Sequence, residues 1–295
     1  VINIKIAVLS DIHGNIVALK AAIKDAKKNN VDEYIIAGDL ITDFPAANEV
    51  IDIIKPLTPY VIKGNREKYI ELYDKTKQEE MWNLMQNIDF IYNYEILTKE
   101  NMEYIKNLKD TLEIKIQNYN IKVVHGSLYH ISDIIDLYDK QLVDKISKEL
   151  KEDILIFGHS HEKADHIKIN NKILVQAGVI GTHDNPQNKS EYTIIEIKDN
   201  KLDIITRQIE YNKEELKEII KRSGILERSP VWVNLCYYTI VKNENIKVKF
   251  VKEGIKLMKE KYGKEKKSKI EKNFRVIEDD IYKQLWKKYE KYFII

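Results

Sequence analysis

The sequence predicts an α/β fold of two packed, mixed β-sheets flanked by helices, with a helical extension at its C-terminal end. Three observations lead there. Short β-branched runs alternate with helical patterns in the front of the chain, short alternating runs joined by tight turns follow, and from Asn212 onward the strand signal stops. Alternation of the first kind marks buried strands joined through helices, and the second kind marks antiparallel hairpins.

Ile4-Lys5-Ile6-Ala7-Val8-Leu9 is the opening strand. Asn15 to Lys28 carries Ile16, Leu19, Ala22, Ile23 and Ala26 on one helical face and stops at Asn29-Asn30. Tyr34-Ile35-Ile36-Ala37 is the second strand and Tyr60-Val61-Ile62-Lys63 the third. Between them, a helix from about Ala46 to Ile54 ends ahead of Pro56, because proline disfavours helical backbone in the residue before it. Glu67 to Asp110 lacks strand signals and reads as a helical insertion, with helices over Lys77 to Met85 and Lys99 to Lys109. Its aromatics, among them Tyr69, Tyr73, Trp82 and Tyr94, are expected to pack the insertion onto the sheet, with stacking on a nucleobase as the alternative.

Leu112 to Gln117 and Ile121 to His125 form a hairpin around Asn118-Tyr119-Asn120, and a helix around Lys140 to Leu150 leads into the strand Ile154 to Phe157. Runs at Asp165 to Ile169, Ile173 to Gln176, Tyr192 to Ile197 and Asp203 to Gln208 turn at Asn170-Asn171 and Asp199-Asn200. These hairpins are expected to build a second, antiparallel-leaning sheet. In the extension, Leu216, Ile219 and Ile220 keep helical spacing and Ser229-Pro230 is an N-cap followed by proline at the first helical position. Ile270, Phe274, Ile277, Ile281 and Leu285 recur at helical intervals, so three or four helices are expected, with the Lys-rich stretch Lys259 to Lys272 helix-compatible. The division falls near residue 210: a first domain over 1–210, with its insertion at about 67–110, and the extension over 211–295.

A chain of 295 residues with 43% hydrophobic content can bury a full core. No apolar run is long enough to span a bilayer, and residues 1–30 lack the basic-then-apolar order of a secretory leader, so a cytoplasmic protein without a membrane partner is expected. Cys236 is the only cysteine, which excludes an internal disulfide, and its apolar neighbours suggest a buried, inert thiol. The net charge of +2 conceals an asymmetry, since Lys242 to Ile295 holds 17 basic against 9 acidic residues, +8, leaving −6 for the rest. A solvated Lys-Glu helical surface accounts for the basic tail, and the acidic front half would repel a long polyanion, so nucleic acid is not the expected partner.

The polar residues that follow the apolar runs carry the chemistry: Asp11-Ile12-His13, Gly38-Asp39, Gly64-Asn65, His125-Gly126 and Gly158-His159-Ser160-His161. Strand C-terminal ends are where open α/β sheets place their sites. Carboxylate, imidazole and one amide suit Mn, Fe, Zn, Co or Ni. Two such ions a few ångströms apart clamp the attacking and leaving oxygens of a phosphoryl group. Each block alone arises readily by chance, but all five stand in order and use four of the seven histidines.

In this order the blocks resemble the calcineurin-like metallophosphoesterases, whose pattern is D-x-H, G-D, G-N-H-[ED], H and G-H-x-H, over roughly the first 210 residues. The resemblance implies a four-layer sandwich and two divalent or trivalent transition-metal ions, manganese foremost. One ion would be held by Asp11, His13 and His161, the other by Asn65, His125 and His159, with Asp39 bridging both and a hydroxide between the ions as nucleophile. The implied activity is hydrolysis of phosphodiester or phosphoanhydride bonds of a small nucleotide-like substrate, as in similar bacterial phosphodiesterases and diadenosine tetraphosphate hydrolases. A broad-specificity phosphodiesterase, a protein phosphatase and a non-catalytic scaffold like the retromer subunit of this fold are the alternatives.

The chain departs from the pattern twice. Asn65-Arg66-Glu67 replaces the histidine able to protonate a leaving alkoxide with Arg66, which stays charged and cannot act as an acid but can contact phosphate oxygens. Unless another group such as His130 supplies the proton, good leaving groups are favoured. The segment Gln176 to His183 replaces an Asn-Pro-Gly-Ser turn, and His183 falls near an expected arginine, which makes it a candidate substrate contact or else a surface-loop residue. His166, inside a strand pattern, is expected to be structural. Because every ligand candidate precedes Asn212, the tail is expected to shape the protein or mediate homo-oligomers, and its truncation to leave metal affinity intact.

Overall fold

The computed structural model describes residues 3–183, 188–199, 201–263, 266–267 and 275–295. The front part runs β1 (Asn3–Leu9), α1 (Ile16–Lys28), β2 (Glu33–Ile36), α2 (Ala47–Leu57), α3 (Asn65–Thr76), α4 (Ile88–Ile96), α5 (Lys99–Asn107), β3 (Leu112–Ile116), β4 (Tyr119–Val123), α6 (Lys140–Glu149) and β5 (Ile154–Phe157). Two hairpins follow, β6 (Asp165–Ile169) with β7 (Lys172–Gln176), and β8 (Ser190–Lys198) with β9 (Lys201–Ile209).

The strands form two mixed sheets, ordered β2-β1-β8-β9 and β3-β4-β5-β7-β6. Strand alternation explains the layers, because successive side chains point to opposite faces. On β1, Ile6 and Val8 face the second sheet and pack with Ile121, Val123, Ile154 and Ile156, whereas Ala7 and Leu9 face the helices α1 and α2. On β5, Ile154 and Ile156 point inward while Leu155 and Phe157 cover Val143 and Ile146 of α6. The expected two-sheet α/β architecture is therefore present, but the partition of strands differs. The late hairpins do not form a sheet of their own: β6-β7 extends the sheet of β4 and β5, and β8-β9 extends that of β1 and β2. Hairpin chemistry fixes which strands pair locally and leaves open which sheet edge the pair joins.

Four local expectations are corrected. Tyr60 to Lys63 is not a full strand; Val61 and Ile62 make isolated bridges, to Ile36 and Lys109. Helix α2 continues through Pro56 to Leu57, where Pro56 and Asp52, the residue whose carbonyl loses its helical donor, are both exposed to water. The 3–4 hairpin turns at Gln117-Asn118, one residue early, with Gln117 at φ 51°. Lys77 to Met85 holds short 3-10 turns at Glu80–Asn83 and from Met85, not an α-helix.

The extension forms α7 (Lys213–Ser223), α8 (Ile225–Arg228), α9 (Pro230–Lys242), α10 (Ile246–Tyr262) and α11 (Asp279–Tyr289), five helices among the described residues. Ser229 precedes Pro230 as expected but makes no side-chain cap. Ile281 and Leu285 lie on α11 and Ile277 just before it; Ile270 and Phe274 fall outside the described residues. Leu216, Ile220, Val233, Cys236, Tyr237 and Ile240 share one buried cluster with Leu19, Ala22, Val50 and Ile51 of α1 and α2. Cys236 is fully buried, and burial pushes its thiol well above the ordinary range, as its inert role requires. Among the described residues no helix is long and apolar enough to cross a membrane.

Candidate active site

The site is built where the loops after β1 and β2 lie side by side. Backbone N–H groups of Asp11, Ile12, His13 and Gly14 donate to the carbonyls of Gly38, Asp39 and Leu40 at 2.8–3.1 Å. Asp11, His13, Asp39, His159 and His161 all have positive φ, between 50° and 67°, a backbone region that costs non-glycine residues free energy. The interloop hydrogen bonds hold two of these turns in place. Gly158 makes the close approach possible, since a Cβ there would lie 2.1 Å from Ser10 Oγ and 2.7 Å from Asp11 Oδ2.

Glu67 fixes the second loop. Fully buried, it accepts backbone N–H bonds from Asp39 (3.0 Å), Leu40 (2.8 Å), Ile41 (3.3 Å) and Gly64 (2.7 Å). Burial and the Asp39 charge push its carboxyl up to about 7, while the Gly64 and Leu40 donations work in the opposite direction. The first turn of α3 then presents Asn65, and the Arg66 N–H donates to Asp39 Oδ1 at 2.9 Å.

With Oδ1 so occupied, Asp39 Oδ2 lies 3.6 Å from His13 Nε2 and 3.3 Å from His125 Nε2. On one side Asp11, His13, Asp39 and His161 converge, with His161 Nε2 at 3.0 Å from His13 Nε2 and 3.4 Å from Asp11 Oδ1. On the other, Asp39, His125 and His159 converge, and Asn65 Oδ1 sits 3.1 Å from His125 Nε2. All seven sequence-predicted ligand residues therefore meet at one place. The donor set fits a metal: Asp11 Oδ1 is buried with no hydrogen-bond partner, and carboxylate oxygens and imidazole nitrogens converge within 4.8 Å of one another in each group.

Outer contacts orient the rings. His125 Nδ1 lies 2.8 Å from the Ala37 carbonyl, so donating there leaves Nε2 for a metal. His13 Nδ1 faces Asp43 Oδ2 at 3.4 Å, and His161 Nδ1 faces Thr182 Oγ1 at 3.1 Å. Burial opposes ionisation of Asp11 and Asp39, yet the surrounding imidazoles hold both below the ordinary carboxylate range. Burial also opposes charge on His125, but Asp39 outweighs it and raises the ring to about 9. In His159 and His161 burial prevails and both are lowered, the neutral form that a metal ligand requires.

Arg66 lies over Phe90, its guanidinium 5.5 Å from the ring centre, with Nε 3.9 Å from Asp39 and Nη2 3.8 Å from Asp43. Burial works against its charge, and Asp43 and Asp39 more than offset this. His130 lines a cleft of about 390 Å³ with Asn65, Lys68, Tyr69, His125 and Tyr129. His183 is not a surface-loop residue; it is 1% exposed, stacked edge-on against Tyr211 with Nε2 3.1 Å from the phenol oxygen, and it does not line that cleft. Burial lowers it to about 3, so it is neutral. His166 is exposed on the edge strand β6. The insertion's aromatics pack as expected, Tyr73 edge-on to both Trp82 and Tyr94.

Sequence reasoning missed three residues. Asp43, fully buried, stands behind His13; Trp232 of α9 donates its indole N–H to Asp43 Oδ1 at 2.8 Å; and Lys247 of α10, 6% exposed, brings Nζ to 3.3 Å from His161 Nδ1. Asp43 lies four positions after Asp39, a signal available in the sequence. The other two come from a segment with no motif. They bring the C-terminal helices into contact with groups beside the candidate ligands.

Beside Asp43, Asp89 Oδ2 accepts the Asp43 N–H at 3.1 Å, and burial together with the Asp43 charge raises its carboxyl from 3.8 to about 7. The folded state thus binds this proton more tightly than the unfolded chain. That contribution to stability is present below about pH 4 and is lost as pH rises through about 7. Asp89→Asn keeps an acceptor without the charge, so its metal-free stability should gain on the wild type as pH rises across that window, by on the order of 1 kcal/mol per pH unit. Urea unfolding of both proteins at the two ends checks this; a constant difference would refute it.

The sequence matches the calcineurin-like phosphoesterase family over residues 4–163, more than half of the chain. The chain belongs to this family. Its fold also resembles that of a metallophosphoesterase from Sphaerobacter thermophilus, with a TM-score of 0.63 and 19% identity, covering 78% of this chain and 98% of that one. A hypothetical protein from Pyrococcus horikoshii has a TM-score of 0.66 and 23% identity, covering 79% and 98%. An uncharacterized protein of Methanocaldococcus jannaschii is 25% identical over 245 residues, 77% of this chain and 95% of its own length. The protein is accordingly a metal-dependent phosphoesterase, a hydrolase with clustered candidate metal ligands.

Proposed function

We propose that this calcineurin-like phosphoesterase holds two transition-metal ions, manganese before Fe, Zn, Co or Ni, and cleaves phosphodiester or phosphoanhydride bonds of a small nucleotide-like substrate. The observation that carries this reading is the position of Asp39 Oδ2, within 3.6 Å of imidazole nitrogens from both ligand groups. Asp11, His13, Asp39 and His161 would hold one ion, and Asp39, Asn65, His125 and His159 the other. When bound, the ions supply Lewis-acid stabilisation of phosphoryl charge and lower the pKa of water toward neutrality.

The chain's own residues do the rest. The cleft of about 390 Å³ beside Asn65 and His125 is in the size range of small-molecule sites and is bordered by Lys68, Tyr69 and Tyr129, a cation and two aromatic rings suited to a nucleotide. Arg66, held near Asp39 and Asp43, stays charged and is placed to contact phosphate oxygens. His130 Nδ1 accepts the Ser132 N–H at 3.0 Å, which orients the ring in the cleft beside Asn65 and His125 and makes it the candidate for protonating a leaving oxygen.

Metal analysis of the purified protein, with turnover of mononucleotides, dinucleoside polyphosphates and aryl phosphodiesters, tests the reading; a single ion at saturating manganese would overturn it. His130→Gln should slow alkyl esters about 100-fold and para-nitrophenyl diesters only a few-fold, since general acid catalysis matters least for a good leaving group. Equal losses on both would remove His130 from the role of acid.

A further inference from the structure

The two ligand groups differ in what stands behind their imidazoles. His125 is held by the Ala37 carbonyl, at the end of β2 and within the family-matching part of the chain. Behind His13 and His161 the C-terminal helices also take part. His13 Nδ1 faces Asp43 Oδ2 at 3.4 Å, and the other oxygen of Asp43 takes the Trp232 indole N–H at 2.8 Å. His161 Nδ1 meets Thr182 Oγ1 at 3.1 Å and is also approached by Lys247 Nζ at 3.3 Å. Trp232 lies near the start of α9 and Lys247 near the start of α10, so the indole behind Asp43 and the ammonium beside His161 both come from the C-terminal helices.

Their environment makes these contacts more than incidental. Asp43 is fully buried and Lys247 is 6% exposed, so neither is an exposed charge that water would screen. A buried carboxylate needs donors and countercharge, and the Asp43 side chain has the Trp232 indole N–H on Oδ1 and the Arg66 guanidinium 3.8 Å away. The partner behind a metal-ligating histidine fixes ring orientation and basicity. Asp43 acts on His13 as a negative charge 3.4 Å from Nδ1, and the indole holds that carboxylate in place.

We propose that the C-terminal helices set the affinity of one metal ion of the pair: Trp232, through Asp43 and His13, supports the ion of the Asp11 group, and Lys247, beside His161, weakens it. Trp232 and Lys247 are positioning residues, not ligands. Their effects have opposite signs because the indole holds a carboxylate that favours the cation, whereas the buried ammonium repels it and, by donating to Nδ1, keeps the proton of the neutral His161 ring on Nε2, the nitrogen that faces the Asp11 group. The ion of the Asn65 group is unaffected. This inference rests on the two-ion reading above, and the wild-type stoichiometry tests that reading separately.

The test is a Co(II) titration of the full chain followed by calorimetry and by the visible spectrum of the bound ion, with Trp232→Phe and Lys247→Met beside the wild type. Trp232→Phe keeps the ring and removes the N–H; it should weaken one of the two binding events about 10- to 100-fold and leave the other unchanged. Lys247→Met should tighten the same event several-fold, and it carries the test should Trp232→Phe fail to fold. A merely structural role would lower the melting temperature and weaken both events together. That result, or unchanged affinities in both variants, overturns the proposal, whereas a wild-type chain binding a single Co(II) overturns the two-ion reading instead.

Discussion

Asp39→Asn is expected to lower kcat/KM on an aryl phosphodiester by at least about a thousandfold, because metal ions supply several kcal/mol of transition-state stabilisation and each 1.36 kcal/mol is tenfold. The substitution is nearly isosteric and keeps an oxygen to accept the Arg66 N–H, which is 2.9 Å from Oδ1 in the native loop. It removes the charge that faces His13 and His125 together. The fold should survive, since Glu67 still holds the loop through the Asp39, Leu40 and Ile41 N–H groups. Steady-state kinetics with metal content measured on the same sample checks this. Activity within tenfold of wild type at unchanged metal content would mean that Asp39 does not join the two groups.

Ending the chain at Glu210 should do more than change solubility. Leu216, Ile220, Ile225, Val233, Cys236, Tyr237 and Ile240 are buried in the cluster that also contains α1 and α2. Removing a single large apolar side chain from a core typically costs about 2–5 kcal/mol, and a whole protein is stable by only about 5–15 kcal/mol. The shortened chain is therefore expected to be insoluble or to lack a cooperative thermal transition, as circular dichroism and limited proteolysis would show. A soluble product melting within a few degrees of the full chain would show that the front part folds alone, and that its packing against the tail contributes little.

The chemistry of this protein was legible in its sequence because it is carried by side-chain identity at strand ends. Asp11, His13, Asp39, Asn65, His125, His159 and His161 meet as expected, and the strand and helix periods that place them need only local information. Helix α1 begins after Asn15, whose side chain accepts the Ala18 N–H, and the hairpin at Asn170-Asn171 turns with both residues at positive φ. Such capping and turn chemistry is a property of a few adjacent residues.

What the sequence left open depends on which surfaces meet. The sheet each hairpin joins is decided by the fit of whole faces: β8 lies against β1 and β7 against β5, though the two hairpins have the same kind of pattern. His183 became a buried partner of Tyr211 because the chain folds Tyr211 over it, 28 positions away. The contacts of Trp232 with Asp43 and of Lys247 with His161 span 189 and 86 positions, and neither residue belongs to a motif. A ligand set repeats across a family because its chemistry admits few residue types, and so it can be read from one chain. The groups that stand behind those ligands are chosen by packing, which many residue types satisfy, and only the folded structure shows which ones this chain uses.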